Sequence, residues 1–140
     1  MVKKMMKAGI GLVVSGILIT VLMGPAGAAE GKSLPGLLDG RTFTGETGEK
    51  GKSKGDKEDF VFKDGLFDPL ACHKYGFSGT PYQGKKEGEA ISFEAEHSSK
   101  KGDRMQWAGT VMGDALEGKM LYWQGKKAPV EYWFRGKITP

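Results

Sequence analysis

The chain has 140 residues, of which 21 are lysine or arginine and 17 are aspartate or glutamate, and it contains one cysteine, Cys72. A single cysteine excludes an internal disulfide bond, so a hydrophobic core must stabilise the fold. The length suits one globular domain with one core.

The first 29 residues have the three-part order of a cleavable secretory signal peptide. Three lysines precede an uncharged, apolar run over residues 8–23, and Gly-Pro and small residues follow as far as Ala29. This order predicts cleavage after Ala28 or Ala29. An uncleaved membrane anchor is the less favoured alternative, because a spanning helix needs about 20 apolar residues and this run is shorter. We therefore expect no membrane span after cleavage and a periplasmic or extracellular protein.

Removal of this segment changes the charge of the protein. The remaining 111 residues carry 18 basic and 17 acidic side chains, a net charge of +1. Nucleic-acid binding thereby loses its main electrostatic support, and we expect no nucleic-acid partner. Residues 30–37 are polar and contain Gly and Pro, which predicts a flexible leader, and residues 38–138 are predicted to form a single domain.

Short alternating runs between glycines predict an all-β domain of seven or eight strands, of which the run over 79–83 is the weakest. The runs cover residues 41–47, 59–62, 66–67, 79–83, 89–97, 104–112, 115–123 and 130–138. In the fifth run Ile91, Phe93, Ala95 and His97 share one face. The lysine-rich residues 50–57 predict a solvated loop, with attraction of an anionic ligand as the alternative.

One short helix interrupts the strands. Asp68 is predicted to cap it, Pro69 to occupy its first position, and Gly76 to end it in the left-handed conformation. These residues bracket a helix over Leu70–Tyr75.

A large apolar residue, any residue and a glycine recur in sequence on four of the predicted strands. The triplets are Phe43-Thr44-Gly45, Trp107-Ala108-Gly109, Leu116-Glu117-Gly118 and Phe134-Arg135-Gly136. Within each triplet the large residue and the glycine share one face, and the glycine lets the sheet bend or a neighbour approach. The pattern favours a small, tightly curved antiparallel barrel, although an abundance of glycine would also produce such triplets.

Across the middle of the chain stand, in order, Asp64-Gly65-Leu66-Phe67, Cys72, Gly76-Phe77, Tyr82, Ile91-Ser92-Phe93 and Trp107-Ala108-Gly109. This order resembles a group of short, uncharacterised bacterial exported proteins, and the glycine-rich meander resembles the lipocalin-like, or calycin, barrels. The Gly-x-Trp motif of lipocalins is absent, and residues 40–43 stand in its region. The resemblance implies an up-and-down antiparallel barrel with an internal ligand, and it implies no reaction.

The aromatic residues are candidates for ligand or partner binding, namely Trp107, Tyr122, Trp123, Tyr132 and Trp133. If Tyr122 and Tyr132 point inward, the tryptophans that follow them point outward. Two exposed tryptophans on neighbouring strands would form an apolar patch, which is typical of a binding surface. The alternative is that a bulge reverses the phase, or that another segment covers them.

Cys72, His73 and His97 are the weak candidates for a metal or redox site. A haem-attachment motif is absent because Pro69 stands where a first cysteine would be needed. A buried, structural Cys72 is the favoured interpretation, and an intermolecular disulfide is a further alternative.

Catalytic motifs are absent from the sequence, and Glu94 and Glu96 are better explained as a solvated strand face than as an acid–base pair. We therefore predict a non-catalytic, exported module without a cofactor that binds a small apolar ligand or a partner protein. An envelope protein that docks through exposed aromatic residues, such as an inhibitor, is the alternative.

Overall fold

A computed structural model describes residues 32–140. The predicted signal peptide and the first two residues of the predicted leader lie outside the described residues. The strands are β1 (Arg41–Glu49), β2 (Asp56–Lys63), β3 (Leu66–Pro69), β4 (Thr80–Glu87), β5 (Ala90–Ser98), β6 (Arg104–Met112), β7 (Ala115–Trp123) and β8 (Val130–Ile138).

The eight strands form one closed antiparallel barrel in which each strand pairs with its neighbours in the sequence. β1 pairs with β2 on one side and with β8 on the other, which closes the barrel. The predicted all-β, up-and-down barrel is thus confirmed. Within residues 32–140 no helix has the length and apolar character that a membrane crossing requires.

The inward positions of the strands follow the alternation of the sequence. Ile91, Phe93, Ala95 and His97 of β5 are all buried, so they share one face of the strand as predicted. The fourth strand is longer than its predicted span of 79–83, because its polar residues 84–87 pair with β5 over Ala90–Phe93. Backbone pairing with a neighbour extends a strand whose own side chains carry no alternation signal.

Aromatic side chains fill the middle of the barrel. Their ring centroids lie 4.9 to 6.5 Å apart in edge-to-face, tilted and stacked pairs. The central group consists of Phe43, Phe60, Phe62, Phe67, Phe93, Trp107 and Phe134, each at most 1% exposed. The centre is therefore a packed core rather than a deep ligand chamber.

A hydrogen-bonded tyrosine closes the end of the barrel at which β1 begins. The Tyr82 hydroxyl donates to Asp39 Oδ1 at 2.8 Å and accepts from the Leu38 amide at 2.7 Å. Leu34, within the predicted leader, forms an isolated β-bridge with Gly84 through two backbone hydrogen bonds. Part of the segment before β1 is thereby attached to β4.

The glycines of the four triplets face one another across the strands. Gly45 lies opposite Gly136, and Gly109 lies opposite Gly118. A β-carbon at Gly45 would overlap the backbone of residues 135 and 136. The absence of side chains therefore lets the inner surfaces of these strand pairs approach closely.

The short 3-10 helix covers the predicted residues Leu70–Tyr75 and ends at Gly76, whose φ of 92° is left-handed as predicted. The predicted cap is wrong: Pro69 is the N-cap residue, and no side chain of the N-cap bonds the helix. Asp68 instead pairs with His73, at 2.6 Å between Oδ1 and Nε2. The carboxylate of Glu58 on β2 accepts from the Ala71 amide at 2.8 Å, so a distant residue satisfies the helix terminus.

Candidate functional site: a cavity at the open end of the barrel

A cavity of about 330 Å³ lies at the end of the barrel opposite Tyr82, where β1 ends and β2 begins. We call it the mouth cavity. Its lining combines the apolar and aromatic residues Cys72, Phe77, Met105, Met120, Tyr122 and Tyr132 with the polar residues Thr47, Asp56, Lys57 and Glu58. The exposed Lys74, Tyr75 and Gln124 stand at its rim.

The short helix supplies one wall of this cavity. Cys72 is the buried residue of this helix, and the half-buried Ala71 also lines the cavity. The left-handed Gly76 then redirects the chain, and Phe77 enters the barrel with 3% of its surface exposed. The predicted structural, buried state of Cys72 agrees with this position.

Glu58 is the buried charged group of the site, with 3% of its surface exposed. Its Oε1 accepts hydrogen bonds from the amides of Asp59 and Ala71, at 2.9 and 2.8 Å. Among residues 32–140, the group that donates to its Oε2 is the Cys72 thiol, at 3.6 Å. Burial raises the pKa of the Glu58 carboxyl above its usual value, and the hydrogen bonds from the backbone oppose that rise.

The Cys72 thiol lies between an oxygen and a second sulfur. Its Sγ is 3.6 Å from Glu58 Oε2 and 4.0 Å from Met105 Sδ. Burial, together with the negative charge of Glu58, raises the pKa of the thiol far above its ordinary value. A catalytic or redox-active cysteine requires the opposite shift, because the thiolate is the nucleophile.

Two tyrosines and a threonine complete the inner lining. The rings of Tyr122 and Tyr132 lie 6.4 Å apart between centroids, and burial raises the pKa of both phenols. Among the described residues, Thr47 Oγ1 is a buried oxygen without a hydrogen-bond partner. The cavity therefore presents apolar rings beside two polar groups, Thr47 Oγ1 and Glu58 Oε2, that have unused bonding capacity.

The structure separates the three candidate metal ligands. His73 is exposed and pairs with Asp68 outside the cavity. His97 is 2% exposed and lies below the cavity among aromatic rings, where its Nε2 contacts the Phe67 carbonyl oxygen at 3.2 Å. Within residues 32–140 no three His, Cys, Asp or Glu side chains group in the manner of a metal site.

Burial lowers the pKa of His97 to about 4. The imidazole is therefore neutral at physiological pH. Its Nδ1 has no hydrogen-bond partner in the described part of the chain.

The candidate aromatic residues divide into three groups. Tyr122 and Tyr132 line the mouth cavity. Trp107 lies in the packed centre with 0% of its surface exposed, away from the cavity lining. Trp123 and Trp133 lie on the outer face and are half-buried.

Arginine side chains cover the two outer tryptophans. The Arg104 guanidinium lies 4.0 Å from the Trp123 ring centroid, and the Arg135 guanidinium lies 4.6 Å from that of Trp133. Trp133 pairs with Lys119, four residues before Trp123 on the same strand, so the two rings are not adjacent. They do not form one continuous apolar patch.

The lysine-rich loop, observed at residues 50–55, is held against this outer face. Trp133 Nε1 donates to the Lys52 carbonyl oxygen at 2.8 Å, and the Arg135 guanidinium donates to that of Ser53 at 3.2 Å. The Gly55 amide donates to Glu46 Oε1 at 2.8 Å. Glu94 and Glu96 are both exposed, and Glu96 pairs with Arg104 at 3.4 Å.

Sequence reasoning missed most of the cavity lining, above all Glu58, Met105 and Met120. Glu58 precedes Phe60 and Phe62 with a period of two, but the predicted second strand begins at Asp59 and so excludes it. Extending that alternation by one residue would have placed a carboxylate inside the barrel. Nothing in the sequence indicates that Met105 approaches Cys72, because 33 residues separate them.

Comparison with known proteins yields no relative: no family model, no curated protein and no solved structure matches the chain. The function must therefore be inferred from the site itself.

Proposed function

We propose that this protein is an exported, non-catalytic module that binds a small ligand in the mouth cavity. The observation that carries the proposal is one cavity whose lining combines apolar rings with a buried carboxylate and a buried hydroxyl that have unused bonding capacity. Ligand sites are typically apolar clefts with a few polar groups that fix orientation.

The dimensions of the cavity restrict the ligand. A volume of about 330 Å³ is at the lower end of the range for small-molecule sites. The aromatic centre beneath it prevents a long acyl chain from entering the barrel axis. The ligand is therefore a compact molecule with an apolar group and at least one hydrogen-bond donor. Glu58 Oε2 would accept the hydrogen bond from that donor.

The architecture and the chemistry of the cavity support binding rather than reaction. A closed eight-stranded meander with an opening at one end is the arrangement of lipocalin-like barrels, which supports a ligand-binding role. The raised pKa of Cys72 disfavours the nucleophilic thiolate.

Native mass spectrometry of the protein purified from its own host tests the proposal. We expect a bound small molecule on the wild-type protein and its loss from Ala71→Phe, which places a ring in the cavity lining. Ala108→Phe adds the same ring to an exposed position on β6 and should keep the ligand. A wild-type protein that carries nothing, and that binds no member of a library of small amines and alcohols, would contradict the proposal.

A further inference from the structure

The sulfur atoms of the mouth cavity indicate a second kind of ligand, independent of the organic molecule proposed above. Cys72 Sγ and Met105 Sδ lie 4.0 Å apart, and Met105 is 2% exposed. Met120, 5% exposed, lines the same cavity. The closed barrel therefore brings the short helix and β6 together at the Cys72 and Met105 sulfurs, and β7 contributes Met120 to the same cavity.

The distance between the two sulfur atoms matches the distance between two sulfur ligands of one metal ion. With metal–sulfur bonds of about 2.3 Å, two sulfur ligands of a trigonal or tetrahedral ion are about 3.8 to 4.0 Å apart. The observed 4.0 Å lies within this range, so an ion could bind both atoms without a large movement of either side chain. Thiolate and thioether ligands together select soft ions such as Cu(I).

We propose that the mouth cavity binds one soft monovalent metal ion, of the class of Cu(I), between Cys72 Sγ and Met105 Sδ. Met120 supplies a further thioether at the same cavity. The thiol proton is released to solvent as the Cys72 sulfur forms its bond to the metal.

Titration with Ag(I), which is soft and monovalent and does not change oxidation state, tests the site without any organic ligand. We expect one Ag(I) per chain by native mass spectrometry, and Cu(I) retained against a chromophoric chelator under anaerobic conditions. Zn(II) should not compete. Failure to bind Ag(I) or Cu(I), or equal binding of Zn(II), would overturn the inference. Neither result would bear on the organic ligand, which native mass spectrometry of the host-purified protein tests separately.

Variants distinguish metal binding by Cys72 and Met105 together from metal binding by the Cys72 thiol alone. Cys72→Ser should abolish binding, and Met105→Leu, which keeps the apolar volume, should weaken the Cu(I) affinity by at least about tenfold. Met112→Leu is the matched control, because Met112 is 59% exposed at the end of β6. Wild-type affinity in Met105→Leu would mean that the thiol alone holds the ion, which contradicts the proposal even if Cys72→Ser fails to fold.

Discussion

Gly109 on β6 lies directly opposite Gly118 on β7, and the ring of Phe134 from β8 occupies the space that their side chains would fill. A β-carbon at Gly109 would lie 2.7 Å from Cζ of Phe134 and 2.8 Å from Cε1 of Phe93. Both rings belong to the packed centre of the barrel. The glycine pair and the aromatic core are therefore one packing unit.

Gly109→Ala should lower the free energy of unfolding by about 2 kcal/mol, because the added methyl group overpacks the core. Urea melts give the comparison. The control is Gly79→Ala, where the new β-carbon would make ordinary contacts at 3.5 Å or more and the stability should change by less than about 0.5 kcal/mol. A neutral or stabilising Gly109→Ala would show that this glycine is incidental to the barrel.

Acid should destabilise the protein through His97. Its folded pKa of about 4 is below the ordinary value of 6.5, so the unfolded chain binds the additional proton. The contribution of His97 is complete above pH 6.5 and is lost as the pH falls towards 4, by about 3 kcal/mol in total. Stability curves of the wild-type protein measured by urea melts between pH 4 and pH 7 should show this loss.

Comparison with His97→Gln isolates that effect, because the variant has no imidazole to protonate. Glu58 acts in the opposite direction, since its raised pKa favours the folded state at low pH, and it contributes equally to both proteins. The free energy of unfolding of the wild-type protein should therefore fall relative to that of His97→Gln as the pH falls. A constant difference across this interval would refute the assignment to His97.

Cys72 should react slowly with a thiol reagent in the folded protein and rapidly in urea, because burial and Glu58 disfavour the thiolate. Cys72→Ser should cost about 1 kcal/mol or more, since it places a hydroxyl in a largely apolar site. The labelling rate and a urea melt measure the two effects. Fast labelling of the folded protein together with unchanged stability would indicate a surface thiol instead.

Trp133 should protect the lysine-rich loop from trypsin. Trp133→Phe keeps the ring over Gly48 but removes the hydrogen bond to the Lys52 carbonyl oxygen, so cleavage after Lys52 or Lys54 should become faster. Trp123→Phe is the control, because Trp123 packs under Arg104. The prediction fails if both variants are cleaved at the wild-type rate.

Processing of the amino terminus can be tested directly. The intact mass of the exported protein should correspond to a chain that begins at Ala29 or Glu30, since small residues precede both positions. Recovery of the full-length chain in the membrane fraction would contradict cleavage.

Local patterns in the sequence determined the architecture of this protein. Alternation identified β5 to β8 almost to the residue, and the residues around Leu70–Tyr75 identified the short helix. These predictions succeed because side chains alternate between the two faces of any strand, and because a left-handed glycine ends a helix by its own conformation. A closed meander follows when each strand pairs with the next one.

Only the tertiary structure decided which side chains meet. The Ala71 amide at the start of the short helix donates to Glu58 rather than to the predicted Asp68, and Glu58 is 13 positions away in the sequence. Met105 contacts Cys72 although the two are 33 positions apart. Gly51 lies in the lysine-rich loop, and nothing in the sequence around it indicates its φ of 94°, which residues with side chains rarely adopt. Contacts between distant strands depend on register and closure, which are properties of the whole barrel. The mouth cavity therefore forms only when the barrel closes, and no single segment of the sequence predicts it.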